Sequence, residues 1–252
     1  VNLKYPDMFS IDGASGRITT RSILDREVQA TYNLVVRAQD AGTPPQSSTA
    51  TVILNVTDIN DNAPVFYPKK YYARVLENEP IHTSVVQVQA SDPDFGDNGT
   101  VFYSIQSGAE QLFAIHITNG WISTIGDLDR ETKASYRIVV AAADKGGLRA
   151  MENAIVEIGV SDVQDSPPEF PSSGYRFNIM EDDSRSNART GRRVGQVRAT
   201  SADTLGTITY AISGGDKEGI FSINEENGVI TTAKSIDREL QDMYSVQVVA
   251  KA

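Results

Sequence analysis

The chain of 252 residues contains no cysteine, two histidines and one tryptophan. Because there is no cysteine, no disulfide framework can stabilise small domains here. The two histidines, His82 and His116, have no partner motif beside them, so the nucleophile–base pair of a hydrolase is missing. A glycine-rich phosphate cradle is also missing. We therefore expect a protein that is not an enzyme.

Long apolar runs and an excess of positive charge are absent as well. No stretch approaches the roughly 20 apolar residues that a membrane helix needs, and there is no signal-peptide pattern. The formal net charge of −10 argues against nucleic acid as a partner, because nucleic-acid phosphates would be repelled. The same acidity suits the binding of cations.

What the sequence does contain is an internal repeat. A Phe-x-Ile triplet occurs three times, and each copy is followed at one fixed spacing by Asp-Arg-Glu. The copies begin at Phe9, Phe113 and Phe221, and at Asp25, Asp129 and Asp237. A period of about 104 to 108 residues is too long for a solenoid unit and is typical of tandem domains. We predict domains at 1–62, 63–166 and 167–252.

The middle domain has the pattern of an all-β fold. Its predicted strands are Tyr71–Leu76, Ser84–Ala90, Thr100–Gln106, Leu112–Ile117, Trp121–Thr124, Ser135–Ala143 and Asn153–Val160. Apolar residues alternate along them with a period of two, and turn-forming residues separate them. Seven short strands without helical periodicity predict an antiparallel sandwich. By comparison, the first domain lacks its opening third and the third lacks its last strand, so we expect a fragment of a longer protein.

Oxygen-bearing side chains concentrate where one predicted sandwich ends and the next begins. Four of them lie between Asp58 and Asn62, just before Pro64. With no cysteine and no nearby histidine, such groups indicate a hard cation, above all calcium. An acidic solvated turn is the alternative for this stretch taken alone. Further acidic groups recur at other strand ends, and two carboxylates about 4 Å apart repel by roughly 4 kcal/mol at an effective dielectric of about 20. Such a cluster favours divalent ions.

The motifs, taken in order, resemble those of extracellular cadherin repeats over the whole chain. They are Glu-Asn, Asp-x-Asp with a downstream Asn, Leu-Asp-Arg-Glu, Ala-x-Asp and Asp-x-Asn-Asp-Asn-Ala-Pro-x-Phe. The resemblance implies tandem Greek-key sandwiches of seven strands, arranged end to end with calcium-binding linkers. It leaves the family member unresolved, and a long invertebrate-type or protocadherin/Fat-like ectodomain is favoured.

The resemblance also implies a function. The chain would be an interior fragment of the ectodomain of a plasma-membrane protein that is anchored outside this fragment. It would act outside the cell in calcium-dependent cell–cell adhesion or recognition. Its partners would be other cadherin ectodomains, homophilic or heterophilic, on the same or an apposed cell. The alternatives are a rod or spacer segment without contacts, and calcium-dependent accessory domains of a secreted enzyme.

The resemblance implies three calcium ions at the first junction. The implied ligands are Asp25, Glu27, Asp58, Ile59, Asn60, Asp61, Asn62, Asp92, Asp94, Asn98 and Asp144. Ile59 and Asn98 would contribute backbone carbonyls, and one further glutamate of the first repeat would lie upstream of Val1.

The second junction departs from the pattern. Its implied ligands are Glu77, Asp129, Glu131, Asp162, Asp165 and Asp203. Gln164 and Ser166 replace the two linker asparagines, and Ser201 replaces the counterpart of Asp92. No counterpart of Asn98 remains, and Ala252 stands where Asp144 would align. These losses all affect the ion nearest the third domain, so we predict at most two ions and a more bent or mobile junction.

Two further sequence features bear on the surface. The sequons Asn55-Val56-Thr57 and Asn98-Gly99-Thr100 are compatible with a secreted glycoprotein. Asn55 is expected to be the better acceptor, because Asn98 is an implied ligand. An insertion after Glu181 brings in four arginines that form either a solvated loop or a contact for a polyanion or partner protein. They are Arg185, Arg189, Arg192 and Arg193.

Overall fold

The computed structural model describes residues 5–181 and 190–252. Every regular element within these ranges is a β-strand, which confirms the predicted all-β class. None of the described residues forms a helix long and apolar enough to cross a membrane. Two arginines of the predicted insertion, Arg185 and Arg189, lie outside the described residues.

The chain divides into two compact units. One comprises Val1–Ala73, His82–Ile125 and Tyr136–Glu157, and the other comprises Arg74–Ile81, Gly126–Ser135 and Ile158–Ala252. These units do not coincide with the three sequence repeats, because each unit contains parts of more than one repeat. The repeat boundaries at 1–62, 63–166 and 167–252 therefore stay a prediction.

The first repeat contributes four strands. They are β1 (Phe9–Ile11), β2 (Ile18–Thr20), β3 (Thr31–Gln39) and β4 (Ser47–Asn55). β1 pairs with β2, and β3 pairs with β4 along nine residues, both antiparallel. The buried side chains Phe9, Tyr32 and Leu34 form the core, and the Tyr32 ring lies edge-on to Phe9 with centroids 5.1 Å apart. The long β3–β4 ladder carries the chain directly to the acidic linker.

The middle repeat contributes nine strands. They are β5 (Val65–Phe66), β6 (Lys70–Leu76), β7 (Ser84–Gln87), β8 (Ala90–Ser91), β9 (Val101–Ser107), β10 (Phe113–Ile115), β11 (Trp121–Thr124), β12 (Ser135–Asp144) and β13 (Ala154–Ser161). Their sheets have the orders β10-β11-β7, β6-β13-β12-β9 and β5-β8. Residues of β6, β12 and β13 belong to both compact units. All seven predicted strands overlap observed ones.

One predicted strand, Ser84–Ala90, is wrong as a single element. The structure ends β7 at Gln87 and places β8 beside β5. At the break, the Val88 amide donates to the Gly120 carbonyl at 3.0 Å, and the Gln89 amide donates to the Tyr71 hydroxyl at 2.9 Å. These partners replace ladder hydrogen bonds, so the chain passes from one sheet to another.

The core of the middle repeat follows the predicted alternation. Along β12, Tyr136, Ile138 and Val140 are buried, whereas Arg137 is exposed. Trp121, on β11, is 39% exposed.

The third repeat repeats this arrangement over the residues that are described. Its strands are β14 (Arg193–Gln196), β15 (Thr209–Gly214), β16 (Phe221–Ile223), β17 (Val229–Thr232) and β18 (Gln247–Lys251). The sheet orders are β14-β17-β16 and β15-β18. Val197, Ala199, Tyr210 and Ile230 form its buried core.

A glycine recurs seven residues after each repeated phenylalanine, and the structure shows its role. Gly16, Gly120 and Gly228 have φ of 70°, 71° and 69°, in the left-handed region that disfavours side chains. A Cβ atom at Gly120 would lie 2.2 Å from the Val88 carbonyl oxygen, and one at Gly228 would lie 2.3 Å from that of Val197. In the middle and third repeats this glycine therefore permits a tight turn packed against a neighbouring strand.

Candidate metal centres

The first junction gathers groups that are far apart in the sequence. The linker Asp58–Asn62 lies between β4 and β5, and Glu27 lies in the loop between β2 and β3. Asp92, Asp94 and Asn98 flank the turn between β8 and β9, and Asp144 is the last residue of β12. Antiparallel sandwiches cluster their loops at their ends, which brings these polar residues together.

The carboxylates at this junction lie close to one another. One oxygen each of Glu27, Asp58 and Asp94 lies within 4.8 Å of the other two. Asn62 donates to the Asp94 carboxylate from its backbone amide at 3.1 Å and from Nδ2 at 2.7 Å. Asn98 Nδ2 donates to Asp58 Oδ2 at 2.8 Å. The linker is thereby tied to the loop that begins the next repeat.

Three buried oxygens at this junction have no hydrogen-bond partner among the described residues. They are Asn60 Oδ1, Asp92 Oδ2 and Asp144 Oδ2. Asn60 Nδ2 donates to Asp144 Oδ1 at 3.3 Å, which places two of these residues in contact. A buried acceptor without a donor costs about 1–3 kcal/mol. An oxygen-rich set of unsatisfied acceptors fits a hard cation such as calcium.

The electrostatics of the first junction agree with this fit. The pKa of Asp92 is raised by loss of hydration and by repulsion from Asp94, Asp144 and Asp58, against one opposing backbone hydrogen bond. The pKa of Asp61 is raised by loss of hydration and then by Glu27 and other nearby carboxylates. Both carboxyl groups therefore resist ionisation when no cation is present.

Two further predicted ligands of the first junction, Asp25 and Ile59, make no hydrogen bond to the other predicted ligands among the described residues. Asp25 Oδ1 accepts from the Val28 amide at 2.9 Å and contributes to the raised pKa of Asp61. The Ile59 side chain is 71% exposed, consistent with a residue that would contribute only its backbone carbonyl.

Sequence reasoning missed Arg26, which lies within the acidic cluster. Its Nη1 atom is 2.9 Å from Glu27 Oε1 and 3.2 Å from Asp58 Oδ1. Its guanidinium carbon lies 4.8 Å from the centre of the Phe95 ring, in a cation–π arrangement. The recurring arginine of Asp-Arg-Glu was the available signal, but spacing alone does not show which carboxylates it reaches.

The second junction brings its upper acidic residues together. Oxygens of Glu77, Glu131 and Asp165 lie within 4.8 Å of one another, as do those of Glu131, Asp162 and Asp203. Glu77 is 2% exposed, and its two oxygens accept from the backbone amides of Arg130 and Val163, each at 2.6 Å.

Asp129, the sixth predicted ligand, is engaged within its own turn. It accepts from the Thr132 amide at 3.2 Å and from the Thr132 hydroxyl at 2.7 Å. The hydroxyl hydrogen bond is the main cause that lowers the pKa of Asp129.

Protein donors satisfy Asp162, which aligns with Asp58. Its Oδ2 atom accepts from the Thr204 amide and hydroxyl at 2.7 and 2.6 Å, and from the Leu205 amide at 3.0 Å. Its Oδ1 atom accepts from Arg130 Nε at 2.6 Å. These contacts, led by the Thr204 hydroxyl, lower the pKa of Asp162 to about 2.

The third-repeat side of this junction is closed by hydrogen bonds. Ser201 Oγ donates to the Ser166 carbonyl at 3.2 Å, and the Ser166 amide donates to both oxygens of Asp203 at 3.2 Å. Within the described part of this junction, no buried side-chain oxygen is left without a partner. The described parts of the two junctions therefore differ in whether buried oxygens are left without a protein donor.

A third acidic grouping was not assigned from the sequence. Oxygens of Glu181, Asp237 and Glu239 lie within 4.8 Å of one another. Glu181 Oε2 accepts from the Arg238 amide at 3.1 Å, as Glu77 does from the Arg130 amide. The third Asp-Arg-Glu copy was the signal. All three residues are exposed, and exposed acidic groups need no metal.

Comparison with known proteins identifies similar sequences and structures. The Cadherin domain model matches residues 2–57, 71–161 and 177–252. Protocadherin Fat 4 of Mus musculus is 48% identical over 96% of this chain and 5% of its own length. Mouse protocadherin-24 EC1–3 superposes with a TM-score of 0.80 at 29% identity, covering 99% of this chain and 82% of that one. Protocadherin gammaB7 EC3–6, described as a cis dimer, gives 0.77 at 28% identity, covering 99% and 66%. The chain thus spans a small part of the curated relative.

The raised pKa of Asp92 leads to a prediction about stability and pH. Asp92→Asn should raise the free energy of unfolding in calcium-free buffer, because it removes a carboxylate that its neighbours repel. The folded-state pKa is raised, so the penalty is full at pH values above that pKa. It fades as the pH falls towards the unfolded value of about 3.9. Denaturant-induced unfolding in the presence of a chelator, monitored by Trp121 fluorescence at neutral and at acidic pH, measures this change in the free energy of unfolding.

Asp97→Asn is the matched control for Asp92→Asn. Asp97 lies in the same loop, its side chain is 72% exposed, and it pairs with Lys145 at 2.8 Å. It should give no comparable gain. If Asp92→Asn does not raise the free energy of unfolding, or raises it equally at neutral and acidic pH, the electrostatic explanation is wrong.

Proposed function

The chain belongs to the cadherin family, and we propose that it is an interior stretch of an adhesive ectodomain whose repeats are stiffened by calcium. The family is not enzymatic, so the expectation that this chain is no enzyme is confirmed. The expected extracellular location, in the ectodomain of a plasma-membrane protein, is also confirmed by the relatives. We further propose repeats at 1–62, 63–166 and 167–252, and each of the three matched segments falls within one of them.

The observation that carries the calcium proposal is the set of unsatisfied oxygens at the first junction. Asn60, Asp92 and Asp144 bury acceptors that no described protein group satisfies. A divalent cation would supply the missing interaction and offset the repulsion that raises the pKa values of Asp61 and Asp92. We assign three calcium ions to this junction, and Asp61 would bridge at least two of them.

This assignment explains how calcium would stiffen the rod. Glu27 belongs to one repeat, Asp58 to the linker and Asp94 to the following repeat. Their oxygens lie within 4.8 Å of one another. Arg26 offsets part of the repulsion between Glu27 and Asp58, and a cation shared by all three carboxylates would draw the segments together. The chain would hold the ions with carboxylate, amide and carbonyl oxygens, as calcium prefers.

At the second junction we propose at most two ions. Asp162 Oδ2 already accepts three hydrogen bonds, from the Thr204 amide and hydroxyl and from the Leu205 amide, and Arg130 supplies a positive charge there as Arg26 does at the first junction. Glu77, Glu131 and Asp165 retain carboxylates on the middle-repeat side. Ser201 and Ser166, on the other side, bond to each other rather than offering free oxygens. This junction would therefore be more bent or mobile than the first, since an inter-domain interface moves when it is not clamped.

The adhesive role goes beyond calcium binding. The chain covers 5% of protocadherin Fat 4, so the activity of the whole protein is a proposal rather than a property of this segment. The cis-dimeric state described for protocadherin gammaB7 supports contact between ectodomains as the form of that activity. A segment that stiffens the rod without touching a partner is the competing function.

Asp61→Ala should remove at least two calcium ions from the first junction. Its carboxylate would be shared, so a single substitution should affect more than one site. Calorimetric titration of calcium into the chain measures the stoichiometry. Asp97→Ala, on an exposed residue of the neighbouring loop, should leave the count unchanged. An unchanged count for Asp61→Ala would refute the proposed role. A chelator should abolish the bound state, whereas a reductant should have no effect on a chain without cysteine.

Glu131→Gln should remove no more than two ions, because Glu131 belongs to both acidic groupings of the second junction.

Arg130→Gln should raise calcium affinity at the second junction by up to about tenfold, equivalent to about 1.4 kcal/mol, since it removes the competing cation. Arg137→Gln, on an exposed β12 position, is the matched control. Loss of three ions in Glu131→Gln, or weaker binding in Arg130→Gln, would contradict this model.

Self-association should require calcium if the chain contributes an adhesive contact. Sedimentation of the chain with calcium and with a chelator should show dimers only in calcium. The Asp61→Ala variant in calcium should resemble the chelated protein. A chain that stays monomeric under both conditions, while binding calcium normally, would contradict the adhesive role of this segment and favour the spacer function.

A further inference from the structure

The two sequons of the chain lie in contrasting environments. Asn55 is the last residue of β4 and is exposed. Its Oδ1 atom bonds with the Thr31 hydroxyl at 3.1 Å. Among the described residues, no group accepts a hydrogen bond from Asn55 Nδ2 or contacts the hydroxyl of the exposed Thr57 within hydrogen-bonding distance. The two groups that define this sequon are therefore available.

The second sequon is engaged on both sides. Asn98 Nδ2 donates to Asp58 Oδ2 at 2.8 Å, and the Thr100 hydroxyl donates to the Gly96 carbonyl at 2.8 Å. Between them, a Cβ atom at Gly99 would lie 2.0 Å from the Asp94 carbonyl oxygen. The backbone here is folded tightly around the first junction. A sugar on Asn98 Nδ2 would have to enter the acidic cluster.

We propose that Asn55 carries an N-linked glycan and that Asn98 does not. The donor would be an oligosaccharide linked to a lipid pyrophosphate, supplied in the secretory pathway. Asn55 Nδ2 forms a bond to the anomeric carbon of the first sugar, and the bond from that carbon to the pyrophosphate oxygen breaks. The lipid pyrophosphate leaves with the bonding electrons, and the amide nitrogen loses one proton. This inference rests on the extracellular part of the proposed function.

The surroundings of Asn55 give the glycan a structural consequence. Thr31 and Asn55 are partners across the β3–β4 ladder, as are Asn33 and Ile53, so these side chains share the outer face of the sheet. Ile53 is 66% exposed and Val35, on the same face, is 44% exposed. Exposed apolar side chains on a sheet face favour association. The first sugars on Asn55 would cover this patch, so a protein contact of the first repeat would use another surface.

Secretion of the chain from a eukaryotic cell tests the proposal. Intact mass before and after enzymatic removal of N-glycans should show one occupied site, and peptide mapping should place it at Asn55. Asn55→Gln and Thr57→Ala should each abolish it. Thr57→Ala leaves Asn55 in place, which separates the sequon from any effect of the asparagine on folding. Thr100→Ala, which destroys only the second sequon, should leave the glycan unchanged.

An unglycosylated wild-type chain, a glycan at Asn98, or a glycan that survives Thr57→Ala would overturn the inference. Calcium titration of the same secreted samples keeps this result separate from the proposed function. Normal calcium binding by an unglycosylated chain would refute the glycan alone. Absent calcium binding by a chain glycosylated at Asn55 would refute the calcium proposal alone.

Discussion

Repulsion between carboxylates that the fold holds together is the constraint on which the first junction depends. The β3–β4 ladder delivers Asp58 to the end of one sandwich, and the turn after β8 delivers Asp94 to the same place. The two carboxylates lie close together where the sandwiches meet, and a cation bound between them would offset their repulsion. A chain without cysteine has no covalent means of fixing the same junction.

The two described junctions meet this constraint in different ways. The first leaves oxygens of Asn60 and Asp144 buried and unsatisfied. The second satisfies Asp162 with the Thr204 backbone and hydroxyl and with the Arg130 guanidinium. An arginine reaches the linker aspartate at both junctions, so the difference lies in the Thr204 hydroxyl at the second junction and in the unsatisfied oxygens at the first. Hydrogen bonds made by the protein persist at any calcium concentration, whereas contacts to a bound ion would not.

Much of this could be predicted from the sequence, and the exceptions share a cause. The alternation of buried and exposed residues along β12 is a local property, so the period of two in the sequence was enough to predict it. The break after β7 depends on the Tyr71 hydroxyl, which arrives from another strand. The reach of Arg130 towards Asp162 depends on how a loop and a linker meet. Motifs show which oxygen-bearing side chains stand at a strand end. They do not show whether neighbouring hydrogen-bond donors already satisfy those oxygens.

That limit bears on how motifs of this family should be interpreted along a long ectodomain. Asp58 and Asp162 occupy the same motif position and both accept from protein donors, yet among the described residues only Asp58 lies beside buried oxygens without a partner. If the second junction holds at most two ions, as we propose, a count of matching acidic residues would overstate its metal content. The more informative quantity is the number of buried oxygens that lack a protein donor. Ser201, which stands where the middle repeat has Asp92, has no carboxylate to offer a cation. Its hydroxyl instead donates to the backbone carbonyl of Ser166. Rod stiffness would then vary from junction to junction through hydrogen bonding, even where the repeats keep the same fold.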